Sequence, residues 1–396
     1  RELVDIPFIP KTHYQHRFNK PKPVSGRGPT MRFSLPREAL LKPLQQVVGV
    51  VERRQTLPVL SNLLVNVGAE GVSFTGTDLE VEMVARTAAE NLEPGEITIP
   101  ARKLFDICRA LPDGVKVKVE QSGERVSVSA GRSRFTLSTL PASEFPVIES
   151  IELVERISLP EATLKDLIAR TAFAMANQDV RYYLNGLLLD VRDNVLRCVA
   201  TDGHRLALAE TRLETRISTR RQIIIPRKGV LELQGLFESG EGLVDLELGR
   251  NHLRLTRGGV TFTSKLIDGR FPDYEAVIPI GADKDVRVGR EELRFALQRA
   301  AILSNEKYRG VKLDVSPNRL RIVAHNPEQE EAVEELEVTC SVAELSVGFN
   351  VNYLMDALAA LSGDEITLSL RDAQSSCLLR KVDSDDTRHV VMPLRL

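Results

Sequence analysis

The segment from Ala162 to Leu208 decides how the chain is interpreted, because its order of elements recurs twice more in the 396 residues. It opens with ATLKDLIARTAFAM (162–175) and the polar, aromatic NQDVRYY (177–183). It continues with LNGLLLDV (184–191), RDN (192–194), VLRCVA (195–200) and TDGHR (201–205). The first run has the apolar spacing of one helix face, and the later apolar runs have the length of strands. The segment therefore predicts a helix, a strand pair joined at residues 192–194, and a tight polar turn.

The same helical spacing starts again at Leu40 and at Leu293, and a strand pair follows each time. A second pattern also recurs, a strand that leads directly into a helix, in ITIPARKLFDICRALPDG (97–114), QIIIPRKGVLELQGLFESG (222–240) and SVGFNVNYLMDALAALSG (346–363). The period is about 120–130 residues, far above the roughly 20–50 residues of solenoid repeats. The sequence therefore predicts three repeated domains, each large enough for its own core.

We expect an α+β fold in which each domain packs two helices on antiparallel sheets. The predicted domains are residues 31–150, 154–280 and 283–396. Residues 1–30 do not fit the repeat and are rich in proline and basic side chains. We expect them to be a disordered or non-native extension.

The composition is that of an ordinary soluble protein, with 42% hydrophobic and 27% charged residues. No apolar run approaches the roughly 18 residues that span a bilayer, and no signal peptide is visible, so the cytoplasm is the expected location. The four cysteines form no C-x-x-C pair and are expected to be reduced core thiols. A net charge of −2 argues against tight general binding to nucleic acid, although basic residues concentrate in the predicted helices.

The best candidate for catalysis is Asp202-Gly203-His204-Arg205, since a neighbouring Asp and His could act as a general-base pair. Asp-Gly is also good turn chemistry, and the corresponding residues 78–80 and 326–328 contain no histidine. Nucleophile, phosphate-loop and metal-ligand motifs are missing from the sequence. A binding or architectural protein without cofactor or metal is therefore expected.

The segment Gln178–Tyr183 combines an arginine with two adjacent tyrosines. Such a group can stack on bases and contact phosphate. The alternative is that one tyrosine packs in the core while the other is half exposed.

Motifs along residues 31–396 resemble the bacterial DNA polymerase III beta subunit family, the sliding clamps. They are TLPVLSNLL, TGTDLE, PARK, GRSRFTLSTLP, QDVRYYLNG, ATDGHRLA, IPRKG, FTSKLIDGRFPDY, AILSNEKYRGV, NPEQEEA and VVMPLRL. The resemblance implies a head-to-tail homodimer whose six similar domains form a closed ring. Helices would line its central hole and sheets would form its outside. The ring would encircle double-stranded DNA without reading its sequence and would tether the polymerase.

The resemblance also implies roles for individual residues. The residues facing DNA would be Arg54, Gln178, Tyr182 and Tyr183. The dimer seam would pair Phe135 and Leu137 of one protomer with Ile302 and Leu303 of the other, although all four could instead be ordinary core residues.

A peptide groove between the second and third domains would bind the DNA polymerase III alpha subunit, the clamp loader delta subunit, and other polymerases and repair proteins. Its wall would be Leu184, Thr201, Gly203, His204, Arg205, Leu206, Pro272, Val277, Asn350, Tyr353, Ser376, Val390, Met392, Pro393, Leu394 and Arg395. An apolar C-terminus lining this groove would explain why the last residues are not polar. The family often has Met where this chain has Leu394, which should change affinity little.

Two rival interpretations remain. One is a DNA-modifying enzyme that uses Asp202 and His204, and the other is a structural repeat protein that binds no DNA.

Overall fold

The computed structural model describes residues 31–52, 57–148, 152–237 and 242–395. The predicted extension, residues 1–30, lies outside these ranges. Within them the chain forms three successive units, and each unit begins with a strand that continues directly into a helix.

The first unit consists of β1 (Arg32–Pro36), α1 (Arg37–Val48), β2 (Asn62–Gly68), β3 (Gly71–Thr77), β4 (Val81–Thr87), β5 (Glu90–Glu93), β6 (Gly95–Pro100), α2 (Ala101–Ala110), β7 (Lys116–Ser122), β8 (Arg125–Ala130) and β9 (Ser133–Ser138). The second consists of β10 (Leu153–Pro160), α3 (Glu161–Ala169), β11 (Gly186–Thr201), β12 (Arg205–Pro226), α4 (Arg227–Leu236), β13 (Leu243–Gly249), β14 (His252–Arg257) and β15 (Val260–Lys265). The third consists of β16 (Lys284–Gly289), α5 (Arg290–Ala300), β17 (Gly310–Ser316), β18 (Arg319–His325), β19 (Glu331–Glu337), β20 (Leu345–Asn350), α6 (Val351–Ala360), β21 (Glu365–Leu370), β22 (Cys377–Lys381) and β23 (Thr387–Val391).

A proline stands at the strand-to-helix junction of four helices, at positions 36, 100, 160 and 226. Proline suits this place because its fixed φ can end a strand and its missing N–H is not needed ahead of the first helical turn. In α6 the junction is Asn350 instead, whose side chain accepts from the backbone N–H groups of Asn352 and Tyr353.

The helices pack in pairs, α1 on α2, α3 on α4 and α5 on α6. The predicted helix 162–175 is shorter in the structure, since α3 ends at Ala169 and residues 172–174 form a separate 3-10 turn. The Thr171 hydroxyl donates to the Leu167 carbonyl oxygen at 2.7 Å, a local bond that competes with continued helix. Ala172 and Met175 remain buried, so the apolar pattern was predictive of burial beyond the helix end.

The predicted turn at residues 192–194 lies inside the long β11. Asp193 has φ +54°, and the pairing register with β12 shifts on both sides of it. A positive φ is rare for a residue other than glycine and marks a local change of chain direction.

Within the described ranges, two of the four sheets cross a boundary between units. One has eight strands in the order β10-β13-β14-β15-β4-β3-β2-β6, and the other has six in the order β11-β12-β23-β22-β21-β16. The joining pairs are β15 with β4 and β23 with β12, both antiparallel. Two further sheets, β5-β1-β7-β8-β9 and β19-β18-β17-β20, end in edge strands within the described part of the chain.

The buried apolar side chains form separate clusters. One large cluster of buried side chains runs through the first and second units, and another fills the third. A smaller cluster joins the second and third units through Leu206, Tyr274 and Val390. All four cysteines are buried and unpaired, and burial raises the pKa of the Cys108 thiol to about 12. None of the helices in the described ranges has the length and apolarity to cross a bilayer.

Candidate functional site

The polar turn after β11 is built by its own side chains. The Thr201 hydroxyl donates to the Arg205 carbonyl oxygen at 2.6 Å and accepts from the Gly203 N–H at 3.1 Å. One carboxylate oxygen of Asp202 accepts from the N–H groups of His204 and Arg205 at 2.9 and 3.1 Å. Asp202 is thereby committed to holding the turn, and His204 stacks on the Tyr353 ring with centroids 6.3 Å apart. This geometry gives no support to the predicted Asp-His base.

Arg205 fastens the second unit to the third. Its guanidinium pairs with Asp202 at 3.1 Å and with Asp356 of α6, and it donates to the Phe173 carbonyl oxygen at 3.0 Å. It also lies over the rings of Phe173 and Tyr353, at 5.2 and 4.6 Å. These contacts hold the Arg205 side chain in place, so it fixes the wall of the predicted groove.

An apolar floor lies beside this turn. Leu206, Tyr274 and Val390 are almost fully buried, and Val277 packs on them half-buried. The buried Tyr274 hydroxyl donates to Asp190 at 2.6 Å. Two predicted groove residues form an exposed rim: Pro272 is exposed, and Met392 is 38% exposed. The hydroxyl of Ser376, another predicted groove residue, lies 3.5 Å from the Met392 sulfur. Leu184 is buried.

The C-terminal segment leaves the groove after Met392. The Met392 N–H donates to the His204 carbonyl oxygen at 2.9 Å, and the Leu394 N–H donates to the Gly348 carbonyl oxygen at 2.7 Å. Leu394 and Arg395 then line a cavity of about 710 Å3 with Tyr308 on the third unit. The structure thus places these two predicted groove residues beside a different cavity, with the half-buried Pro393 between them and Met392. The side chain of Asn350, another predicted groove residue, caps α6.

The loop before β11 is held in one shape by side-chain hydrogen bonds. Asn185 accepts from the Asp179 N–H at 2.9 Å and donates to the Asp179 carbonyl oxygen at 2.8 Å. Arg181 binds both carboxylate oxygens of Asp179, at 3.0 and 2.8 Å, and holds the pKa of that carboxyl down at about 2. Gln178 lies at the exposed start of this loop with φ +57°.

The two adjacent tyrosines have different surroundings. Tyr182 is 57% exposed, whereas Tyr183 is half-buried against the small apolar cluster between the second and third units. Their rings meet edge to face with centroids 5.7 Å apart. Tyr182 is therefore the one available for stacking on a ligand, which matches the alternative in which one tyrosine packs inside.

Arg181, which the sequence grouped with the two tyrosines as a possible phosphate contact, lies beside the predicted groove. Its guanidinium donates to the Asp202 carbonyl oxygen at 3.1 Å, and a side chain at Gly203 would meet it at 2.9 Å. Gly203 also has φ +87°, a conformation that glycine adopts without strain, whereas the exposed Arg181 side chain could move aside. The sequence did not indicate that Arg181 would bond to the turn at Asp202.

Several of the helix cations are already paired. Arg170 binds Asp166 and Asp386, Arg294 binds Glu291, and Arg299 binds Glu334. Helix α6 carries no lysine or arginine. The exposed helix cations that form no ion pair with a described residue include Lys42 and Lys103, both in the first unit. Arg54, predicted to face DNA, lies outside the described residues.

The two outer edge strands differ in charge. Strand β9 exposes Arg134, and Arg132 is exposed just before it; strand β19 exposes Glu331, Glu335 and Glu337. An exposed apolar side chain lies near each edge, Phe135 (37%) in β9 and Ile302 (77%) in a 3-10 turn that packs on β18 and β19. The other two predicted seam residues are less accessible, since Leu137 is buried in the core and Leu303 is half-buried.

Comparison with known proteins places nearly all of the described chain in one group. Residues 31–149 match the family model for the DNA polymerase III beta subunit N-terminal domain, residues 158–273 the central domain, and residues 275–395 the C-terminal domain. The beta sliding clamps of Pseudomonas putida and Escherichia coli K12 are 54% and 51% identical over 367 residues, which is 92% of this chain and 100% of each relative.

Solved structures agree with the sequence matches. A Pseudomonas aeruginosa sliding clamp bound to griselimycin has a TM-score of 0.90 at 54% identity, covering 92% of this chain and 100% of that one. The Caulobacter crescentus clamp has a TM-score of 0.87 at 40% identity with the same coverage.

Proposed function

Because the chain belongs to the DNA polymerase III beta subunit family, we propose that it is a ring-shaped sliding clamp that encircles duplex DNA and tethers the replicative polymerase. It acts as a processivity subunit and catalyses no reaction itself. The observation that carries the proposal is that both boundaries between units are formed by the same strand pairing, which leaves one complementary edge at each end of the chain.

The two joining strand pairs have the same register. The third residue of β15, Phe262, lies opposite Met83, and the third residue of β23, His389, lies opposite Ala207. Met83 and Ala207 each lie five residues after the aspartate of the polar turn, Asp78 or Asp202. The same pairing rule therefore holds at both boundaries between units.

Applying this rule to the outer edges predicts the dimer seam. Strand β9 is the last strand of its unit, as β15 and β23 are, and β19 follows the polar turn of the third unit. In the third unit, Ala332 of β19 pairs with Ala324, and Ala324 precedes the turn residue Asn326 by two positions. The first unit has the same arrangement, since Met83 of β4 pairs with Gly76, which precedes the turn residue Asp78 by two positions. We therefore expect Phe135 to lie opposite Ala332 of a second copy.

The charges of the two edges support this head-to-tail pairing. Unpaired edge strands invite pairing with another chain, and opposite charges across a strand pair are favourable. Arg132 would lie opposite Glu335, and Arg134 would lie diagonally between Glu331 and Glu335, while Phe135 and Ile302 would be covered. Two such seams close a ring of six units with two-fold symmetry.

A double-cysteine variant tests the seam and its register together. Directly opposed residues of an antiparallel pair have Cα atoms about 4.5–5.5 Å apart, within reach of a disulfide. Phe135→Cys with Ala332→Cys should therefore give covalently closed rings on oxidation. The matched control, Phe135→Cys with Val333→Cys, shifts the register by one residue and turns the side chain to the other face, so it should cross-link poorly. Equal cross-linking of both variants, or a monomer in analytical ultracentrifugation, would refute the seam.

The DNA contacts are proposed to be few and sequence-independent. Gln178 and Tyr182 are exposed on the loop before β11, Tyr183 supports Tyr182, and Arg54 completes the set predicted from the family. A chain with net charge −2 binds DNA weakly, and enclosure in a ring makes strong binding unnecessary. Retention on circular but not on linear DNA would support enclosure. Equal release from both would exclude it.

The groove beside Arg205 is proposed to bind short apolar peptides of the polymerase alpha subunit, the clamp loader delta subunit, and other polymerases and repair proteins. The apolar floor at Leu206, Val277 and Val390 and the exposed rim at Pro272 and Met392 support this assignment. The griselimycin-bound relative shows that a similar clamp binds a ligand.

Deleting residues 392–396 should abolish binding of a fluorescent alpha-subunit peptide and leave the dimer intact. Unchanged peptide binding would reject the groove. We further propose that the domains are residues 31–150, 154–280 and 283–396 and that the protein is cytoplasmic.

A further inference from the structure

We propose that the boundary between the first and second units carries a second peptide-docking pocket, which accepts an apolar side chain next to an acidic residue of a partner protein. This junction pocket, a cavity of about 270 Å3, is lined by Leu79, Pro146, Val147, Ile148, His252 and Lys265. The inference rests on the proposed docking function of the groove between the second and third units.

The junction pocket is the counterpart of that groove by internal repetition. The Thr77 hydroxyl donates to the Val81 carbonyl oxygen at 2.8 Å and accepts from the Leu79 N–H at 3.1 Å, as Thr201 does with Arg205 and Gly203. The Asp78 carboxylate holds the N–H groups that follow it, as Asp202 does. The same turn therefore forms one wall of both sites.

Two other walls correspond in the same way. Pro146 follows the buried Phe145 as Pro272 follows the buried Phe271. Lys265 is the sixth residue counted from the start of β15, and Met392 is the sixth from the start of β23. The first boundary thus has the scaffold of the second, with a cation in place of a thioether.

The backbone conformation of Leu79 indicates that the junction pocket has a function of its own and is not only a consequence of the internal repeat. It has φ +81°, a conformation that glycine adopts easily and leucine does not, and its counterpart is Gly203 with φ +87°. Such a conformation is strained for a branched side chain and persists where the surrounding structure holds it in place. The Leu79 side chain is nevertheless 38% exposed at the pocket, so little core packing compensates for the strain.

The pocket also displays apolar surface on a fixed backbone. Val147 is 63% exposed beside it. The N–H of the half-buried Ile148 donates to the Glu82 carboxylate at 3.2 Å, which holds this segment against β4. An apolar side chain of a ligand would cover Leu79, Val147 and Ile148 together.

The polar groups of the pocket favour a carboxylate. Lys265 is exposed and forms no ion pair with any described residue. His252 has a buried Nε2 that lacks a hydrogen-bond partner among the described residues. An acidic side chain of the ligand would supply the counter-charge to Lys265. The corresponding position of the groove is Met392, which carries no charge, so the two sites would select different peptides.

Methyl NMR of the dimeric protein, with labelled isoleucine methyl groups, tests the proposal. The probe is the tripeptide acetyl-Leu-Phe-Asp-amide, and its matched control is acetyl-Leu-Phe-Asn-amide. The Asp peptide should shift the Ile148 methyl signal in a saturable way, with at least threefold tighter binding than the Asn peptide. Lys265→Met should remove that difference, and Leu79→Gly should weaken both peptides. Lys118→Met, at a lysine of β7 outside the pocket, should change neither.

Ile278, which packs on the apolar floor of the groove, reports on the other site in the same spectra. An Ile148 signal that stays unmoved while Ile278 shifts would overturn the second pocket and leave the groove standing. Equal binding of the Asp and Asn peptides at Ile148 would also overturn it. If Ile148 responds while Ile278 does not, the second pocket stands, and the alpha-subunit peptide titration decides the groove separately.

Discussion

The stability of the boundary between the second and third units should fall in acid because of one buried histidine. His389 of β23 is 1% exposed, and its two ring nitrogens lie 3.2 Å from the Ala357 carbonyl oxygen and 3.0 Å from that of Arg170. Burial is the largest influence and lowers the pKa of His389 to about 4, assisted by the positive charges of Arg170 and Arg205. The two carbonyl oxygens act in the opposite direction, because only a protonated ring donates to both.

The sign and size of the effect follow from the difference between folded and unfolded states. In the unfolded chain His389 should titrate near its ordinary pKa of 6.5, so between pH 6.5 and 4 the unfolded state binds a proton that the folded state does not. The free energy of unfolding should therefore be fully retained above pH 6.5 and decline toward pH 4. One unit of pKa corresponds to about 1.4 kcal/mol, which makes the total loss about 3 kcal/mol.

Urea unfolding at a series of pH values from 7 to 4 provides the measurement. His389→Phe should lose less stability on acidification than the parent protein, by about 3 kcal/mol at pH 4. His325→Phe, at an exposed histidine of β18 that pairs with Glu331, is the matched control and should follow the parent curve. Parallel curves for parent and His389→Phe would refute the reasoning. A parent protein that gains stability relative to His389→Phe in acid would show that the two carbonyl oxygens outweigh burial.

Three further outcomes are expected. Phe74→Ala should lower the free energy of unfolding by about 3–5 kcal/mol, because Phe74 is fully buried and packs edge-on against Phe33; a loss below 1 kcal/mol in urea unfolding would contradict this. Arg205→Met should cost about 1–3 kcal/mol and increase protease cleavage between the second and third units, whereas His204→Ala should not; equal cleavage of both would count against the fastening role. Tyr182→Ala should weaken duplex binding in a fluorescence titration by roughly fivefold, about 1 kcal/mol, while Tyr183→Ala should mainly weaken peptide binding; the reverse pattern would reassign the two tyrosines.

Local features of the fold were predictable from the sequence because they depend on neighbouring residues. The helices at Arg37, Glu161 and Arg290 were visible in the apolar spacing, and the polar turn after β11 in the pair Asp202-Gly203. The end of α3 at Ala169 was not, since the spacing continues to Met175 and a side-chain bond of Thr171 decides the outcome.

The candidate site depends more on contacts between distant residues. Arg170 looked like a cation on a helix surface, yet it pairs with Asp386, 216 positions away, and so belongs to the boundary between units. Leu394 looked like a groove residue because the family pattern continues to the end of the chain. Its backbone bond to Gly348 directs it to another cavity, and no local pattern reveals which strand edge a terminal segment meets.

The strand pairs that cross from one unit to the next also limit how the molecule can be dissected. A recombinant fragment holding only the middle third would lose the β4 neighbour of β15 and the β23 neighbour of β12, and so expose two unsatisfied backbone edges at once. Such a piece should precipitate or stack into fibrils at concentrations where the full-length polypeptide stays dispersed. A shortened expression fragment should therefore keep both strands of each pair that joins two units.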